Sequence, residues 1–472
     1  MDLFFTAVKA FFDTFSAVVF VPVIMFIINL AFKVKPKKAF ISALSAGVGL
    51  QGFNLVIGAY SPIIEPIITR MVESSGVNLP VYDAGWPNTS VVAYSTQAGM
   101  VFVVIAIALQ VVLFLTKFTT IFQAGDLWNN YSYFCWGSMI YILTKNIVLA
   151  IGLMTMQLLI TLLITEIIAK RWSTYYNYPG CTIASLHTAT VAVIAIPLNW
   201  FMNKIGLYKF EVDPEGMRKK LGFIGEPMTL GLMLGIIIGF VGNITRLGTL
   251  AAWGEILACG VATSAVMSVF PKISSIFSGA FSAITEATKK TTKGVSGEWY
   301  LAVNDATGYG ETATLVSGLL TMPIILFLSF VLPGNTTLPM VDLVAIPYCI
   351  QPMVAMANGN VLKSVIGATL ICIIFVYVCS ACGSTFTEVV KEAGGTLGTG
   401  GAMMVTSLII IGQPIGYITF RIFASQNPIA IIALVVVYAV CYVLVRKNKE
   451  KIYAFLEEQA LNPSGKKQAA AE

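Results

Sequence analysis

The chain has 472 residues, 57% of them hydrophobic and 11% charged, with a mean hydropathy of +0.82 and a formal net charge of +6. A soluble globular protein carries about 25% charged residues, so this composition excludes a soluble enzyme. It also excludes an outer-membrane barrel, whose segments are short and alternate, and leaves an all-α polytopic membrane protein.

Apolar runs near 20 residues predict spanning helices at roughly 11–32, 39–61, 91–116, 126–145 and 147–169. A second set is predicted at 226–243, 250–270, 310–332, 343–359 and 362–381, with a last helix at 430–447, about eleven in all. The first run lacks a basic n-region and an A-x-A-like site, so it is expected to be a retained helix and not a signal peptide. Two stretches, 180–203 and 401–423, are apolar but broken by Gly, Pro and Thr. That is the pattern of re-entrant hairpins, tolerated where protein or a water-filled cavity covers the backbone. Beyond 447 the chain is polar and ends SGKKQAAAE, which predicts a disordered cytoplasmic tail. Cys379 and Cys382 form a C-x-x-C inside an apolar segment, with no second pair and no histidine nearby. Helix packing accounts for them, and no metal or cofactor is expected.

The chain repeats itself weakly. DLWNNYSY at 126 falls on DLVAIPYC at 342, Pro197 on Pro414, and DAGWPNT at 83 on DATGYGET at 305, with offsets of 216 to 223 residues. Such shared spacing predicts a tandem duplication. The first half is basic at KVKPKK (33–38), at Lys117 and at Lys170–Arg171, and the second at KKTTK (289–293). The basic loops thus change places between the halves, as expected if each repeat has an odd number of helices and the second is inverted. With basic loops in the cytoplasm, the N-terminus is outside and the C-terminus inside. The expected domains are a first repeat over 1–203, a cytoplasmic linker at 204–221, an inverted second repeat over 222–425, a final helix at 426–447 and a tail at 448–472.

Inverted repeats place a substrate site near the midplane, on broken helices from both halves. Ionisable groups there are functional candidates. Asp83 and Asp305 open the matched segments, each followed by small or helix-breaking residues. A carboxylate accepts hydrogen bonds from adjacent hydroxyls, which suits a polyol, and Trp86 could stack on an apolar carbon face. Helix capping by Asp83 is the structural alternative. Glu311 is read as lying deeper in its helix. Glu226, in GFIGEPMTLG (222–231), either caps a helix start or binds substrate. His187, the sole histidine, lies among hydroxyls in CTIASLHTATVAV (181–193), and its imidazole can donate to and accept from a substrate hydroxyl. Gln97 and Asn129 are further candidates facing a cavity. No P-loop sequence, Ser/His/Asp set or metal cluster is present.

Several segments together resemble one family. They are VYDAGWPNTS (81–90), DLWN (126–129), FIGEPMTLG (223–231), the Asp305 segment, VLPGNTTLPMVDL (331–343) and GGAMMVTSLIIIGQPI (400–415). Over roughly residues 10–425 the chain resembles the galactitol-type permease subunits, enzyme IIC, of bacterial sugar phosphotransferase systems, within the ascorbate–galactitol superfamily. The resemblance implies a homodimeric permease of the cytoplasmic membrane, with an elevator-like motion of a core domain against a dimerising domain. It also implies a substrate, galactitol or a related polyol or sugar, phosphorylated on entry by a cytoplasmic IIB subunit. That subunit bears a phosphocysteine and is charged by IIA, so the chain is no enzyme on its own. By similarity, Asp305 and His187 line the sugar site. The chain departs from the pattern at Leu186-His187-Thr188, where galactitol-type members read Pro-His-Gly-Thr, and at Glu311, where they have a histidine. An ion-coupled secondary transporter is the alternative, with Asp83, Asp305 and Glu311 as proton or sodium sites.

Overall fold

The computed structural model describes residues 17–31, 33–75, 79–123, 127–210, 212, 227–291, 298–394 and 404–464. Its first half runs α1 (Ala17–Ala31), α2 (Pro36–Ser75), β1 (Val81–Asp83), α3 (Gly85–Tyr94), α4 (Gln97–Leu115), β2 (Ile121–Gln123), α5 (Leu127–Thr144), α6 (Ile147–Tyr175), β3 (Cys181–Ile183), α7 (Leu186–Ala189) and α8 (Ala192–Lys204). The second half runs α9 (Pro227–Gly242), α10 (Leu250–Thr291), β4 (Tyr300–Val303), α11 (Ala306–Tyr309), α12 (Thr312–Val331), β5 (Thr337–Leu338), α13 (Ile346–Cys349), α14 (Gln351–Met356), α15 (Val361–Glu392), β6 (Met404–Thr406) and α16 (Pro414–Ala424). A last helix, α17 (Pro428–Leu461), follows. Among the described residues, five helices are long and apolar enough to cross a membrane: α6, the first 20 residues of α10, α12, α15 and α17.

Helices α1, α2, α9 and α10 pack together as a bundle. Gly231, Gly235 and Gly239 recur every fourth residue along α9 and lie against the α10 backbone. A Cβ on Gly235 would stand 2.4 Å from the Cys259 carbonyl oxygen, so only glycine permits this approach. Side chains join the bundle further: Tyr60 Oη and Thr263 Oγ1 are 3.1 Å apart, and Arg70 and Arg246 both pair with Glu255.

The remaining helices surround two small parallel sheets. One has the order β5-β1-β6, the other β2-β4-β3. Each sheet takes its middle strand from one half and its flanking strands from the other. The strands interrupt the helices inside the protein, and strand pairing satisfies the backbone groups that the breaks release. Polar caps restart the helices: Thr96 accepts from the Gly99 amide at 3.2 Å, Asn146 from Val148 at 3.0 Å, Asn360 from Lys363 at 3.1 Å and Asn427 from Ile429 at 2.9 Å.

Two expectations are corrected. The run 343–359 is not one helix; a 3-10 turn at Val341–Ala345 leads into α13 and α14, with Pro347 and Pro352 in their first turns. The chain past 447 is not a disordered tail up to Leu461, because α17 continues through it with Tyr453, Leu456 and Ala460 buried. Those three recur at helical spacing, so one face packs while Lys447, Glu450, Lys451 and Glu458 face out. Residues 465–472 lie outside the described residues.

Candidate functional site

Parallel pairing sets up the site. In β3 and β4, Cys181 is opposite Leu301, Thr182 opposite Ala302 and Ile183 opposite Val303. Both strands run the same way, so the residues that follow them, Ala184-Ser185 and Asn304-Asp305, emerge side by side. The carboxyl ends of parallel strands are where such sheets present ligand-binding groups.

Asp305 is fully buried and His187 is 2% exposed. One carboxylate oxygen of Asp305, Oδ2, accepts from Ser185 Oγ at 3.0 Å, Thr188 Oγ1 at 2.7 Å and His187 Nε2 at 2.8 Å. The other ring nitrogen, Nδ1, lies 2.7 Å from Ser132 Oγ on α5. An ionised Asp305 calls for the proton on Nε2, which leaves Nδ1 to accept from the serine. Gln351 fixes the backbone here: its Nε2 donates to the Asp305 carbonyl at 2.5 Å, and its Oε1 accepts from Trp172 Nε1 at 3.2 Å. Gln413 Nε2 donates to the His187 carbonyl at 2.8 Å.

The matching place in the other sheet is built differently. Asp83 ends β1 opposite Thr406 of β6. Its Oδ1 accepts from the amides of Gly85 at 3.1 Å and Leu408 at 3.0 Å, and its Oδ2 from those of Met340 and Asp342, both at 3.0 Å. Asp342 Oδ2 in turn accepts from Ser407 Oγ at 2.5 Å and the Ile409 amide at 3.1 Å. Gly85 makes the turn with φ +69°, and a Cβ on it would meet Val341 at 2.6 Å. Asp83 is thus held by backbone amides, Asp305 by side chains. Side-chain donors can rotate onto a ligand's hydroxyls, whereas amides turn only if the chain moves.

Of the residues singled out in the sequence, His187 and Asp305 come together, and Asp83 lies in the other sheet. Asn129 is buried one turn before Ser132 on α5. Gln97 opens α4 and is exposed. Trp86 lies in α3, where only its backbone is described, and Glu226 falls outside the described residues. Glu311 is not deep in a helix but is the N-cap of α12, its carboxylate accepting from the amides of Ala313 at 2.9 Å and Thr314 at 2.8 Å. Glu311→Ala is accordingly expected to cost about 1 kcal/mol of stability and to leave substrate affinity unchanged, as read by thermal melting with and without ligand.

Sequence reasoning passed over Ser132, Ser185, Thr188, Gln351 and Gln413 as individual binding groups. For two of them a signal existed: Ser185 and Thr188 lie in the hydroxyl-rich segment around His187. Ser185-Leu186 recurs as Ser407-Leu408, at the spacing that separates Asp83 from Asp305, and Ile409 then stands where His187 does. The other three meet the site only through tertiary contacts.

A carboxylate, an imidazole and hydroxyls form one buried cluster among long apolar helices, the architecture of a multi-pass membrane protein. The chain belongs to the family described as PTS system sugar-specific permease component, which it matches over residues 10–401. It is therefore the translocating subunit of a phosphotransferase complex and not an enzyme on its own. It is 25% identical over 426 residues to the PTS system galactitol-specific EIIC component of Escherichia coli K12, covering 90% of this chain and 92% of that one. The component of the same name from E. coli O157:H7 matches equally. A putative permease IIC component of E. coli K12 is 25% identical over 437 residues, covering 91% and 97%.

Proposed function

We propose that this permease imports galactitol or a related polyol or sugar, which a separate cytoplasmic IIB subunit phosphorylates from its phosphocysteine during entry. The observation that carries the reading is the bonding of Asp305 to Ser185, Thr188 and His187. Substrate hydroxyls can replace these donors one for one. The galactitol-specific names of two relatives point the same way.

The strand order supports two inverted repeats. β5-β1-β6 becomes β2-β4-β3 when each strand is exchanged for its counterpart 216 to 223 residues away. α1 and α2 likewise precede β1 as α9 and α10 precede β4. Five long apolar helices, together with the shorter and broken helical stretches, support about eleven crossings, with the 180–203 and 401–423 segments as hairpins. Lys117, Arg171 and Asn203 are met by Arg446, Glu457 and Gln459 along the basic outer end of α17. With that basic end in the cytoplasm the N-terminus is outside, and the Asp305 sheet faces the phosphoryl donor. The bundle of α1, α2, α9 and α10 serves as the dimerising scaffold, against which the body holding both sheets moves as an elevator.

Uptake in cells lacking IIA and IIB tests the coupling. No accumulation of free galactitol is expected there, and normal accumulation of the unphosphorylated sugar overturns the proposal. Thermal-shift titration of the purified permease with hexitols, pentitols and sugars identifies the substrate by the largest stabilisation.

A further inference from the structure

Each half of the chain ends its series of elements with a helix, α8 or α16, and α17 stands outside this correspondence. The apolar first part of α17 is largely exposed, but from Tyr442 onward it grips the protein at two places. At the first, Arg446 Nη2 donates to the Phe118 carbonyl at 2.9 Å, and to that of Lys117. Tyr442 donates to the same Phe118 carbonyl at 2.7 Å while its ring stacks on that of Phe118. Arg446 Nη1 also lies 3.6 Å from buried Glu166, whose other oxygen accepts from Thr119 Oγ1 at 2.8 Å and the Thr120 amide at 2.6 Å. This loop leads straight into β2, and the Thr120 carbonyl accepts the first amide of β4, Tyr300, at 2.9 Å. Strand β4 ends at Val303, two residues before Asp305.

At the second place, Glu457 pairs at 2.9 Å with Arg171, which is itself 1% exposed. Arg171 donates to the Ala355 carbonyl at 2.9 Å and to Asn358 Oδ1 at 2.5 Å. It thereby holds the end of α14, the helix whose first residue, Gln351, binds the Asp305 carbonyl. Two separate chains of contacts thus run from the outer part of α17 to one residue.

We propose that residues 442–461 form a strap that positions Asp305, with Arg446 and Glu457 as its positioning residues. The Arg446 fork hydrogen-bonds a carbonyl while its other arm faces the Glu166 carboxylate, an arrangement a lysine does not reproduce in the same geometry. This proposal rests on the reading of Asp305 as a substrate-binding group, and the test separates the two. Full-length Arg446→Ala, Glu457→Gln and Asp305→Asn are titrated with galactitol, and hydrogen exchange is followed in peptides covering 300–305 and 81–85. Both strap variants are expected to bind galactitol about tenfold more weakly. They are also expected to raise the uptake KM with Vmax within about twofold, and to exchange faster at 300–305 but not at 81–85. Arg446→Lys is expected to resemble Arg446→Ala. Wild-type affinity in both strap variants, beside lost binding in Asp305→Asn, overturns the strap and keeps the site. Wild-type affinity in Asp305→Asn overturns the site, and the exchange pattern then decides the strap alone. Equal acceleration in the two peptides, or none, counts against it. If Arg446→Ala does not fold, Glu457→Gln, at a side chain partly open to solvent, carries the same comparisons.

Discussion

Asp305→Asn is expected to abolish saturable galactitol binding, and His187→Ala to do the same, with both variants reaching the membrane at normal levels. The carboxylate is the common acceptor for Ser185, Thr188 and His187. Hydrogen bonds to a charged group contribute about 1.5–3 kcal/mol each. A substrate that loses two of them loses roughly 3 kcal/mol or more, a drop beyond a hundredfold in affinity. His187→Ala removes one donor from Asp305 and the partner of Ser132, and an alanine cannot reach either. The donors freed are side chains that can turn to other acceptors, so melting without ligand is expected to fall less than in Asp83→Ala. Equilibrium binding on purified protein, with melting as the control for folding, makes the measurement. Unchanged affinity in both variants would move the site elsewhere.

Asp83→Ala is expected to fail at the level of the fold. Its carboxylate takes four buried amides, from Gly85, Met340, Asp342 and Leu408. Each buried donor left without a partner costs about 1–3 kcal/mol, so the sum reaches roughly 4 kcal/mol at the least. A protein of ordinary stability has about 5–15 kcal/mol in all. Little monodisperse permease should survive extraction, as fluorescence-monitored size exclusion would report. Asp83→Asn keeps one acceptor but sets an amide donor against two backbone donors, so it too should melt well below the natural protein. A variant that melts normally and yet loses galactitol affinity would instead make Asp83 a ligand group. The two aspartates thus separate in their readouts: Asp305 in binding, Asp83 in folding.

That separation was not visible in the sequence. DAGWPNT and DATGYGET look like equals there, and both aspartates precede helix-breaking residues. The difference lies in what faces each carboxylate, and apart from Gly85 those partners are 117 to 325 residues away along the chain. Similarly, Glu311 reads as an intramembrane carboxylate until the helix boundary shows it capping α12. The strap escaped for another reason. Hydropathy over a window of spanning length averages the stripe of Tyr453, Leu456 and Ala460 with its charged neighbours, so an amphipathic helix reads as a polar tail.

The sequence alone determined the membrane class, most of the helical stretches and the family, and it offered His187 and Asp305 as candidates. These follow from composition, local hydropathy and short motifs, which are properties of neighbouring residues. The tertiary structure alone decided that each sheet mixes strands of both halves, that one buried aspartate is held by amides and its counterpart by side chains, and that the last helix reaches back to α6 and the loop before β2. Those features depend on contacts between segments hundreds of residues apart, and no local pattern encodes which distant backbone amide will meet a given carboxylate.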